Sequence, residues 1–576
     1  MNTTKRYNTF AESEIGAVKK KWQTRVRIAL VYPNTYYVGM SNLGFHAVYQ
    51  LLNDMEHVVC ERAFLGENVG HSHVQIKTIE SGRPLKDFDI IAFSVSFESD
   101  YPNILSVLEA SGLPLFSNQR NSSHPLVISG GVAIFINPEP VAPFIDCFLI
   151  GEAEAILPAF MDHFDTNTLS VRSDRQTQLQ QLANHVPGVY VPEFYTQNYN
   201  NNDQLVSFEP VCDVPHKIKR VFLKDISETP TCTAILSPFT AFKQTYLIET
   251  GRGCSHGCRF CTAGFIYRPP RRRPLSLIKT CLEHGCSLTD RIGLVGTATS
   301  DYHDIIQLCK EISADKARIS FSSMRADAIS PELITVLKNS KVKTATIAPD
   351  AGSQRMRNVI NKGLTEEHIL HAAEKLVEGN IPNLKLYFMT GLPTETSDDV
   401  DAVVMLCKKI KQKFLDASRV NKRIGTITVS LNPFIPKPFT PFQWASGDTL
   451  TLQKEKIKAI KDGLKKTANL RVHAESPRNA YIQSLISRGS RKTSEILLMA
   501  MKTQWNWGKI IKSLPEPLKR QMNQERPLDE LFPWDFIDHQ IKKSYLKNEY
   551  QKAFKETTSS LCKIGDCRTC GACSSI

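Results

Sequence analysis

The sequence predicts an α/β protein in which a doubly wound, Rossmann-like N-terminal domain is followed by a partial β/α barrel and a mainly helical C-terminal region. Apolar runs of strand length alternate with helical stretches from residue 26 to residue 431, a pattern typical of parallel sheets covered by helices. Beyond residue 446 the pattern becomes helical and basic. At 576 residues the chain is too long for one core, so we expect two to four domains.

The first domain is predicted from four apolar runs of strand length. They occupy residues 26–32, 89–96, 126–129 and 147–150. Helical stretches lie between them, one of them at residues 45–55. Alternation of this kind predicts a parallel sheet of the doubly wound type, which binds ligands at the carboxyl ends of its strands.

Two loops occupy such carboxyl ends. One spans residues 37–44, and the other begins with the pair Gly130 and Gly131 and continues into residues 137–140. Because ligands of doubly wound sheets bind at this edge, Gly130 and Gly131 are candidate binding residues.

The barrel is predicted from six strand candidates that follow a linker of low periodicity. They occupy residues 245–249, 292–296, 318–323, 344–348, 384–389 and 426–431. Right-handed crossovers between parallel strands close into a complete or partial barrel, with its chemistry at the carboxyl ends.

Three cysteines, Cys254, Cys258 and Cys261, follow the first barrel strand with the spacing CxxxCxxC. Thiolates this close on one loop can hold one compact metal centre, and soft sulfur ligands select zinc or an iron–sulfur cluster. A zinc site would need a fourth ligand, and His256 lies too near in sequence to close a tetrahedron easily. A four-iron cluster held by three cysteines leaves one iron open, and we prefer that interpretation.

This loop resembles the cluster loop of the radical S-adenosylmethionine (SAM) enzymes. The resemblance implies an incomplete (βα)6 barrel and a [4Fe–4S] cluster whose open iron chelates SAM. The reduced cluster would cleave SAM to a 5′-deoxyadenosyl radical, so that Cys254, Cys258 and Cys261 carry both metal binding and catalysis. Phe260, just before the last cysteine, would shield the cluster from water.

Further candidates for SAM binding follow the later barrel strands, and several of their segments resemble methylthiotransferase-like radical SAM enzymes. In that resemblance the segment after the second strand contacts the SAM amino group, the one after the fourth contacts ribose and carboxylate, and the one after the fifth lies near the adenine. An arginine suits a carboxylate because its fork pairs bidentately. The candidates are Gly296, Ser323, Arg325, Ser353, Arg355, Gly391 and Glu395.

The first domain resembles the cobalamin-binding domain that precedes the barrel in one branch of radical SAM proteins. The resemblance includes Gly130, Gly131 and the later segment 151–154. The Asp-x-His-x-x-Gly signature that supplies a histidine to cobalt is absent, since His46 lacks the preceding aspartate. Cobalamin without a histidine ligand is one expectation, and an empty domain used as a docking surface is the other.

A second group of cysteines, Cys562, Cys567, Cys570 and Cys573, ends the chain with the spacing Cx4Cx2Cx2C. Such density predicts metal binding. The four thiolates could hold an auxiliary iron–sulfur cluster, and part of the spacing resembles a ferredoxin run. Zinc is the alternative, because four sulfur ligands also suit tetrahedral coordination.

Charge and cysteine usage set the remaining expectations. Lys and Arg exceed Asp and Glu by 71 to 58, a net charge of +13 that permits an anionic substrate or RNA. The arginine-rich run 268–273 is expected either to be a solvated loop or to contact an anionic substrate or SAM. Fifteen cysteines without an apolar signal segment predict a reducing cytoplasm, and no apolar run is long enough to cross a membrane.

The predicted function is radical SAM chemistry that transfers a methyl or methylthio group to an unactivated carbon, with an electron donor such as flavodoxin or ferredoxin. The alternative is a two-cluster redox or electron-transfer protein, or an RNA-binding regulator, which would not cleave SAM. The predicted parts are an N-terminal extension (1–24), the cobalamin-binding-like domain (25–197), a linker (198–231), the radical SAM barrel (232–445), a helical region (446–555) and a cysteine-cluster tail (556–576).

Overall fold

The computed structural model describes residues 9–66, 75–164, 175–297, 306–308, 317–322, 324–420, 422–565 and 567–573. The strands in these residues are β1 (Val26–Tyr32), β2 (Val58–Phe64), β3 (Ile90–Ser94), β4 (Leu126–Gly130), β5 (Cys147–Leu149), β6 (Val189–Tyr190), β7 (Tyr195–Tyr199), β8 (Leu205–Pro210), β9 (Ile218–Lys219), β10 (Tyr246–Glu249), β11 (Gly251–Arg252), β12 (Arg271–Arg272), β13 (Arg291–Val295), β14 (Arg318–Phe321), β15 (Thr344–Asp350), β16 (Asn383–Thr390), β17 (Ile427–Pro433), β18 (Leu470–Ala474) and β19 (Ile537–Asp538). The helices are α1 (Tyr36–Gly39), α2 (Leu43–Asp54), α3 (Tyr101–Ala110), α4 (Val132–Ile136), α5 (Ala153–His163), α6 (Arg175–His185), α7 (Ala263–Ile266), α8 (Leu275–Leu288), α9 (Pro331–Asn339), α10 (Gln354–Val359), α11 (Glu366–Glu378), α12 (Ser397–Val420), α13 (Leu450–Leu464), α14 (Pro477–Ser487), α15 (Thr493–Lys502), α16 (Trp507–Ser513), α17 (Glu516–Asn523) and α18 (Lys543–Phe554).

The N-terminal domain is a doubly wound sheet, as predicted. Its strand order is β2-β1-β3-β4-β5-β6, with β1 to β5 parallel and β6 antiparallel to β5. The order 2-1-3-4-5 is one of the two common arrangements of this fold. The central strand β1 reads as a continuous apolar run because helices cover both faces of the sheet. All four strands expected in this domain are present.

Strand β2 is not predicted from the sequence, because VVCERAF carries two charged residues in its middle. The structure buries both of them. Arg62 lies between Glu14 and Glu80, with N–O distances of 2.7 and 2.6 Å. Glu61 accepts a hydrogen bond of 2.7 Å from Trp22 Nε1. Partners distant in sequence thus allow charged residues inside a buried strand, and the periodicity of the strand itself contains no sign of them.

The barrel contains the six predicted strands and one more. Strands β10, β13 and β14 form one parallel sheet, and β15 to β18 form another in chain order. A parallel bridge between Met324 and Ile347 connects the two, so the strands follow each other around a partial barrel. The added strand β18 pairs with β17 and is half exposed, which explains its weak apolar signal. Strand β18 lies beyond residue 445, the predicted end of the barrel. The domain bounds given above stay a prediction.

The helical C-terminal region packs against the N-terminal domain rather than standing apart. Trp444, Trp534 and Tyr550 belong to the same buried apolar cluster as the strands of the first sheet. Strand β19 also pairs with β9, which precedes the barrel. None of the helices in the described ranges is long and apolar enough to cross a membrane.

The loop that follows Gly131 serves this packing. Asn137 Nδ2 donates hydrogen bonds of 3.0 and 2.8 Å to the carbonyl oxygens of Ser487 and Gly489, at the end of α14. Glu139 is fully buried and accepts a hydrogen bond of 3.0 Å from Arg491 Nε. The polar residues of this loop are therefore engaged with the C-terminal helices.

Candidate active site

The three predicted ligands lie on the loop between β10 and α7, residues 250–262, which we call the cysteine loop. Gly253 begins its tight turn with φ of +81°, and a Cβ at this position would lie 2.6 Å from the carbonyl oxygen of Tyr267. Only glycine fits there. The loop then folds back on itself, since the N–H of Cys261 donates to the carbonyl oxygen of Cys258 at 3.0 Å.

This fold brings the three thiols together. Cys258 is buried, whereas Cys254 and Cys261 are partly exposed. The Cys261 thiol interacts electrostatically with those of both Cys254 and Cys258. Over the described ranges, no three His, Cys, Asp or Glu side chains are arranged to hold a single metal ion. Three soft donors on one loop suit an iron–sulfur cluster with one open iron.

Two cations lie beside the buried cysteine. Burial raises the pKa of the Cys258 thiol to about 11, while Lys362 and Arg325 act in the opposite direction. Lys362 is buried and pairs with Asp350 at 2.6 Å, and Arg325 NH2 donates to the carbonyl oxygen of Lys362 at 3.2 Å. Both cations stabilise a thiolate, the form that binds metal.

Lys362 and Asp350 were not among the predicted site residues. Asp350 ends β15 with φ of +63°, a conformation that non-glycine residues adopt rarely. Its place at the carboxyl end of a barrel strand is a signal that the sequence offered. Lys362 follows α10, and its sequence context contains no comparable signal. Ser323, which precedes this part of the site, lies outside the described residues.

The candidates after the fourth strand contact the N-terminus of α12. Ser353 caps α10 and donates to Asp399 Oδ1 at 2.6 Å. Arg355 also pairs with Asp399, donates to the carbonyl oxygen of Thr394 at 2.7 Å and reaches Glu556 at 3.3 Å. Burial alone would raise the pKa of Asp399, but the hydrogen bonds from Arg355 and Ser353 lower it to about 2. Arg355 is thus engaged by protein carboxylates.

The candidates after the fifth strand form a separate polar group. The N–H of Gly391 donates to Glu395 Oε2 at 2.7 Å, and Lys456 pairs with Glu395 at 2.9 Å. Lys456 also reaches Asp448 at 2.7 Å. Phe260 packs partly buried against the main apolar core. The structure therefore brings Arg325 to the cysteine loop, and it places Arg355 and Glu395 in ion pairs beside α12 and α13.

A buried network of arginines and glutamates holds the start of the cysteine loop against the N-terminal domain. Arg252 contacts Glu152 at 3.0 Å, Glu154 at 2.5 Å and Glu249 at 3.1 Å. Arg271 forms a bidentate pair with Glu152 at 2.6 and 2.9 Å. The segment 151–154 therefore serves as the anchor of the residue that precedes Gly253 and Cys254.

The arginine-rich run 268–273 is mostly not a solvated loop. Arg268, Arg271 and Arg273 are buried, and only Arg272 of its arginines is exposed. Arg273 pairs with Glu249 at 2.5 Å. Arg271 contributes to the attachment of the two domains through Glu152, whereas the pair between Arg273 and Glu249 lies within the barrel.

A cavity of about 690 Å³ joins the N-terminal domain to the barrel. Its deep part lies between the first sheet and helices α2 and α5, and its lining there is apolar, for example Leu30, Ala47 and Leu157. Its other end is lined by Gly130, Gly131, Gly296 and residues 251–253. The carboxyl edge of the first sheet and the start of the cysteine loop thus line one cavity. Cavities between two domains are a common place for ligand sites.

His46 does not face this cavity. Its Nε2 lies 3.0 Å from the carbonyl oxygen of Met40, and its Nδ1 accepts a hydrogen bond of 3.3 Å from the N–H of Ile235. Burial lowers the pKa of this histidine to about 4. Both ring nitrogens are engaged by backbone, so His46 is not placed to bind cobalt.

The C-terminal cysteines lie directly beside the cysteine loop. The N–H of Cys562 donates to the carbonyl oxygen of Ser255 at 2.9 Å. The thiol of Cys562 interacts electrostatically with Cys570, Cys573 and Cys567, so the four thiols share one neighbourhood. Cys570 is buried at 2% exposure, and its carbonyl oxygen accepts from Lys542 N–H at 2.9 Å. Proximity of the two cysteine groups was not predictable from their positions in the chain.

A three-cysteine loop at the carboxyl end of the first strand of a partial β/α barrel is the site of a metal-cluster enzyme. The chain matches the family models "Radical SAM proteins, N-terminal" over residues 44–192 and "Radical SAM superfamily" over residues 248–407. It belongs to the radical SAM superfamily, whose members use a [4Fe–4S] cluster and SAM, and it is a radical SAM enzyme.

Two curated relatives differ in how far they match. An uncharacterized protein of Methanocaldococcus jannaschii is 30% identical over 82% of this chain and 90% of its own length. The ribosomal protein uS12 methylthiotransferase of Carboxydothermus hydrogenoformans is 27% identical over 46% of this chain, which spans 61% of that relative.

Two solved structures of radical SAM proteins align with this chain at low sequence identity. A radical SAM methyltransferase of Kitasatospora setae with cobalamin and a [4Fe–4S] cluster bound aligns over 83% of this chain and 100% of its own, at 12% identity and a TM-score of 0.46. A cobalamin-dependent SAM radical enzyme with aqua-cobalamin and SAM bound aligns over 92% of this chain and 79% of its own, at 14% identity and a TM-score of 0.44.

Proposed function

We propose that this radical SAM enzyme transfers a methyl group, with methylthio transfer as the alternative, to an unactivated carbon of its substrate. Cys254, Cys258 and Cys261 are the proposed cluster ligands. With the cluster and SAM bound, one electron from a donor such as flavodoxin or ferredoxin would cleave SAM to methionine and a 5′-deoxyadenosyl radical that abstracts a hydrogen atom from the substrate. The transferred methyl group would come from a second SAM, released as S-adenosylhomocysteine, with a corrinoid as the methyl carrier and a second electron from the same donor. We place this reaction in the cytoplasm.

The observation that carries the proposal is the shared space between the cysteine loop and the N-terminal domain. The chain's own residues hold the loop rigidly there through Arg252 and Glu152, and Lys362 and Arg325 supply positive charge beside Cys258. Arg325 contributes its charge but no free fork, because Asp327 already accepts from it bidentately at 3.0 and 2.9 Å. Group transfer is supported by the relative named as a methylthiotransferase and by one named as a tRNA-2-methylthio-N(6)-dimethylallyladenosine synthase. It is also supported by an uncharacterized methyltransferase of Pyrococcus horikoshii, 22% identical over 36% of this chain.

The experiment that tests the proposal combines cofactor analysis with product analysis. Protein purified without oxygen should contain iron, sulfide and, if methyl transfer is the reaction, a corrinoid. With SAM carrying a labelled methyl group and a reductant, a cell extract containing the substrate should acquire the label without added sulfur. A labelled product that also contains a new sulfur atom would favour methylthio transfer, and the absence of both products would refute the proposal.

The residues around the cavity fit a corrinoid. The apolar depth between the sheet, α2 and α5 accepts a bulky apolar group, and the polar end lies at Gly130 and Gly131. No histidine lines the cavity within the described residues. A corrinoid in this place would have no histidine nitrogen on cobalt and would sit beside the start of the cysteine loop.

Filling the cavity should abolish corrinoid binding. Ala47 on α2 lines the cavity and is partly exposed, so Ala47→Phe adds bulk to the cavity without displacing core side chains. We expect reconstituted wild-type protein to retain cobalamin, with no histidine nitrogen coupling in the spectrum of its cob(II)alamin form, and Ala47→Phe to lose at least tenfold in cobalamin affinity. The matched control is Gln50→Phe, on the exposed side of the same helix. If wild type and Ala47→Phe retain equal cobalamin, the cavity is not the site.

We further propose that the four C-terminal cysteines hold a second iron–sulfur cluster. Replacing Cys567, which is partly exposed and has Thr569 as a side-chain partner, should remove one ligand with little disturbance of the fold. Cys567→Ala should lower iron and sulfide by the equivalent of one cluster while SAM binding persists. Loss of zinc with unchanged iron would instead identify the tail as a zinc site.

A further inference from the structure

The chain's last residues cover one side of the cysteine loop. Beyond the contact between Cys562 and Ser255, the side chain of Asn361 links the two segments. Its Nδ2 donates to the carbonyl oxygen of Gly257 at 3.0 Å, and its Oδ1 accepts from Ser559 N–H at 2.9 Å. The residues between Cys254 and Cys258 are thus hydrogen-bonded to the segment that leads into the tail cysteines.

A buried arginine in the cysteine loop strengthens this attachment. Arg259 is 0% exposed and donates to the carbonyl oxygen of Thr557 at 2.6 Å. It also pairs with Glu549 of α18 at 3.2 Å. Because breaking a buried pair costs several kcal/mol, the tail segment and the loop should keep a fixed separation.

Arg268 lies between the two cysteine groups. Its Nε donates to the carbonyl oxygen of Gly264 at 2.6 Å, and its NH1 donates to Tyr545 Oη at 3.1 Å. Its charge acts electrostatically on the thiols of Cys562 and Cys570. One buried cation therefore lies beside the tail cysteines and is hydrogen-bonded to α7, the helix that directly follows the cysteine loop.

The tail and the cavity meet the cysteine loop at different places. The cavity reaches the loop at residues 251–253, whereas the tail contacts Ser255 directly and is linked to Gly257 through the side chain of Asn361. No described residue of the tail lines the cavity. A metal centre on the tail is therefore placed to exchange electrons with the cysteine loop. A centre that donates sulfur to a substrate would instead need access to the cavity.

We propose that Arg268 is a positioning residue that holds the tail centre against the cysteine loop and stabilises its reduced state, which makes the tail an electron relay. This inference rests on the second cluster proposed above. A reduced cluster carries one more negative charge than an oxidised one, and a buried guanidinium beside it stabilises that charge. With both centres loaded, the tail cysteines would hold the group that accepts one electron from a low-potential one-electron donor and passes it to the cysteine loop, where cleavage of one SAM to methionine and the 5′-deoxyadenosyl radical would consume it.

The test compares Arg268→Gln with Arg272→Gln in the full-length, cluster-loaded protein. Both variants remove one arginine charge within the same run, but Arg272 is exposed. The reduction potential of the tail centre is measured by redox titration followed by electron paramagnetic resonance, with Cys567→Ala used to assign its signal. We expect Arg268→Gln to weaken reduction of the tail centre at least tenfold, which is about 59 mV for one electron. Arg272→Gln should leave the potential unchanged.

A second variant separates charge from folding. Arg268→Lys keeps the charge and loses the fork, so we expect it to restore most of the potential while iron content and melting temperature stay near wild type. Unchanged potential in Arg268→Gln, or an equal shift in Arg272→Gln, would overturn the proposal.

Reductant choice distinguishes the relay from the proposed reaction. With flavodoxin as donor, 5′-deoxyadenosine formation by Arg268→Gln should fall several-fold. With dithionite, which is small enough to reach the loop directly, the rate should stay near wild type. An equal loss with both reductants would refute the relay, and zinc in place of a redox signal would refute it while leaving SAM cleavage intact.

Discussion

Replacement of Cys258 by alanine is expected to abolish reductive formation of 5′-deoxyadenosine. The change removes one of three thiols on the cysteine loop, and Cys258 is the buried member that Lys362 and Arg325 approach. Two remaining thiols cannot hold the proposed cluster, so iron and sulfide should fall by the equivalent of one cluster. The measurements are iron and sulfide content, SAM binding and 5′-deoxyadenosine yield with dithionite in protein reconstituted without oxygen.

A matched control separates loss of the cluster from loss of the fold. Cys407 on α12 is fully buried in the core of the barrel and is not part of the cysteine loop. Cys407→Ala removes the same sulfur atom from a packed position, so it should lower stability by about 1–2 kcal/mol and leave the iron content unchanged. Normal 5′-deoxyadenosine formation by Cys258→Ala would show that Cys258 is not a cluster ligand.

The largest effect on stability is expected from Glu152→Gln. Glu152 is 5% exposed and pairs with Arg271 at 2.6 Å and Arg252 at 3.0 Å. Removal of its charge leaves buried guanidinium groups without their partner, which typically destabilises a protein by about 3–5 kcal/mol. The expected result is a melting temperature lower by on the order of 10 °C, measured by calorimetry.

The effect of Glu152→Gln should depend on pH in a defined direction. Burial alone would raise the pKa of this carboxyl group, but Arg271, Arg252 and Arg220 lower it below its usual value. A lowered pKa stabilises the fold above the pKa of the unfolded chain, and this contribution is lost as pH falls through the folded value. The variant should therefore differ most from wild type near neutral pH and least in acid. Glu109→Gln, an exposed change on α3, should shift stability by less than about 0.5 kcal/mol at either pH.

The fold was predictable where local pattern and burial agree. Strand β1 is buried almost throughout, and β16 and β17 alternate buried with partly exposed residues, so their sequences alone indicate them. Strand β2 was missed because the carboxylates that pair with Arg62 and the indole N–H that donates to Glu61 lie far from it in the chain. Strand β18 was missed because a half-exposed strand has few apolar residues.

The candidate site was predictable in its cysteines and less so in their surroundings. The spacing of Cys254, Cys258 and Cys261 is local, so they lie on one loop, and their role as cluster ligands stays a prediction. Lys362 lies near Cys258 because α10 packs beside the cysteine loop. Arg268 lies near Cys570 because the tail packs there too. Such contacts depend on tertiary structure, and no spacing rule along one segment can reveal them.

The shared apolar core of the N-terminal domain and the C-terminal region has a consequence for how the protein unfolds. Trp444, Trp534 and Tyr550 are buried together with side chains of the first sheet, and β19 completes a small sheet with β9. These two parts should therefore lose structure in one cooperative transition, although more than 200 residues of barrel separate them in sequence. Strands β15 to β17 and helices α11 and α12 have a core of their own, so they are expected to melt separately, whereas the cysteine loop stays attached through Phe265 and Ile266, which belong to the shared core.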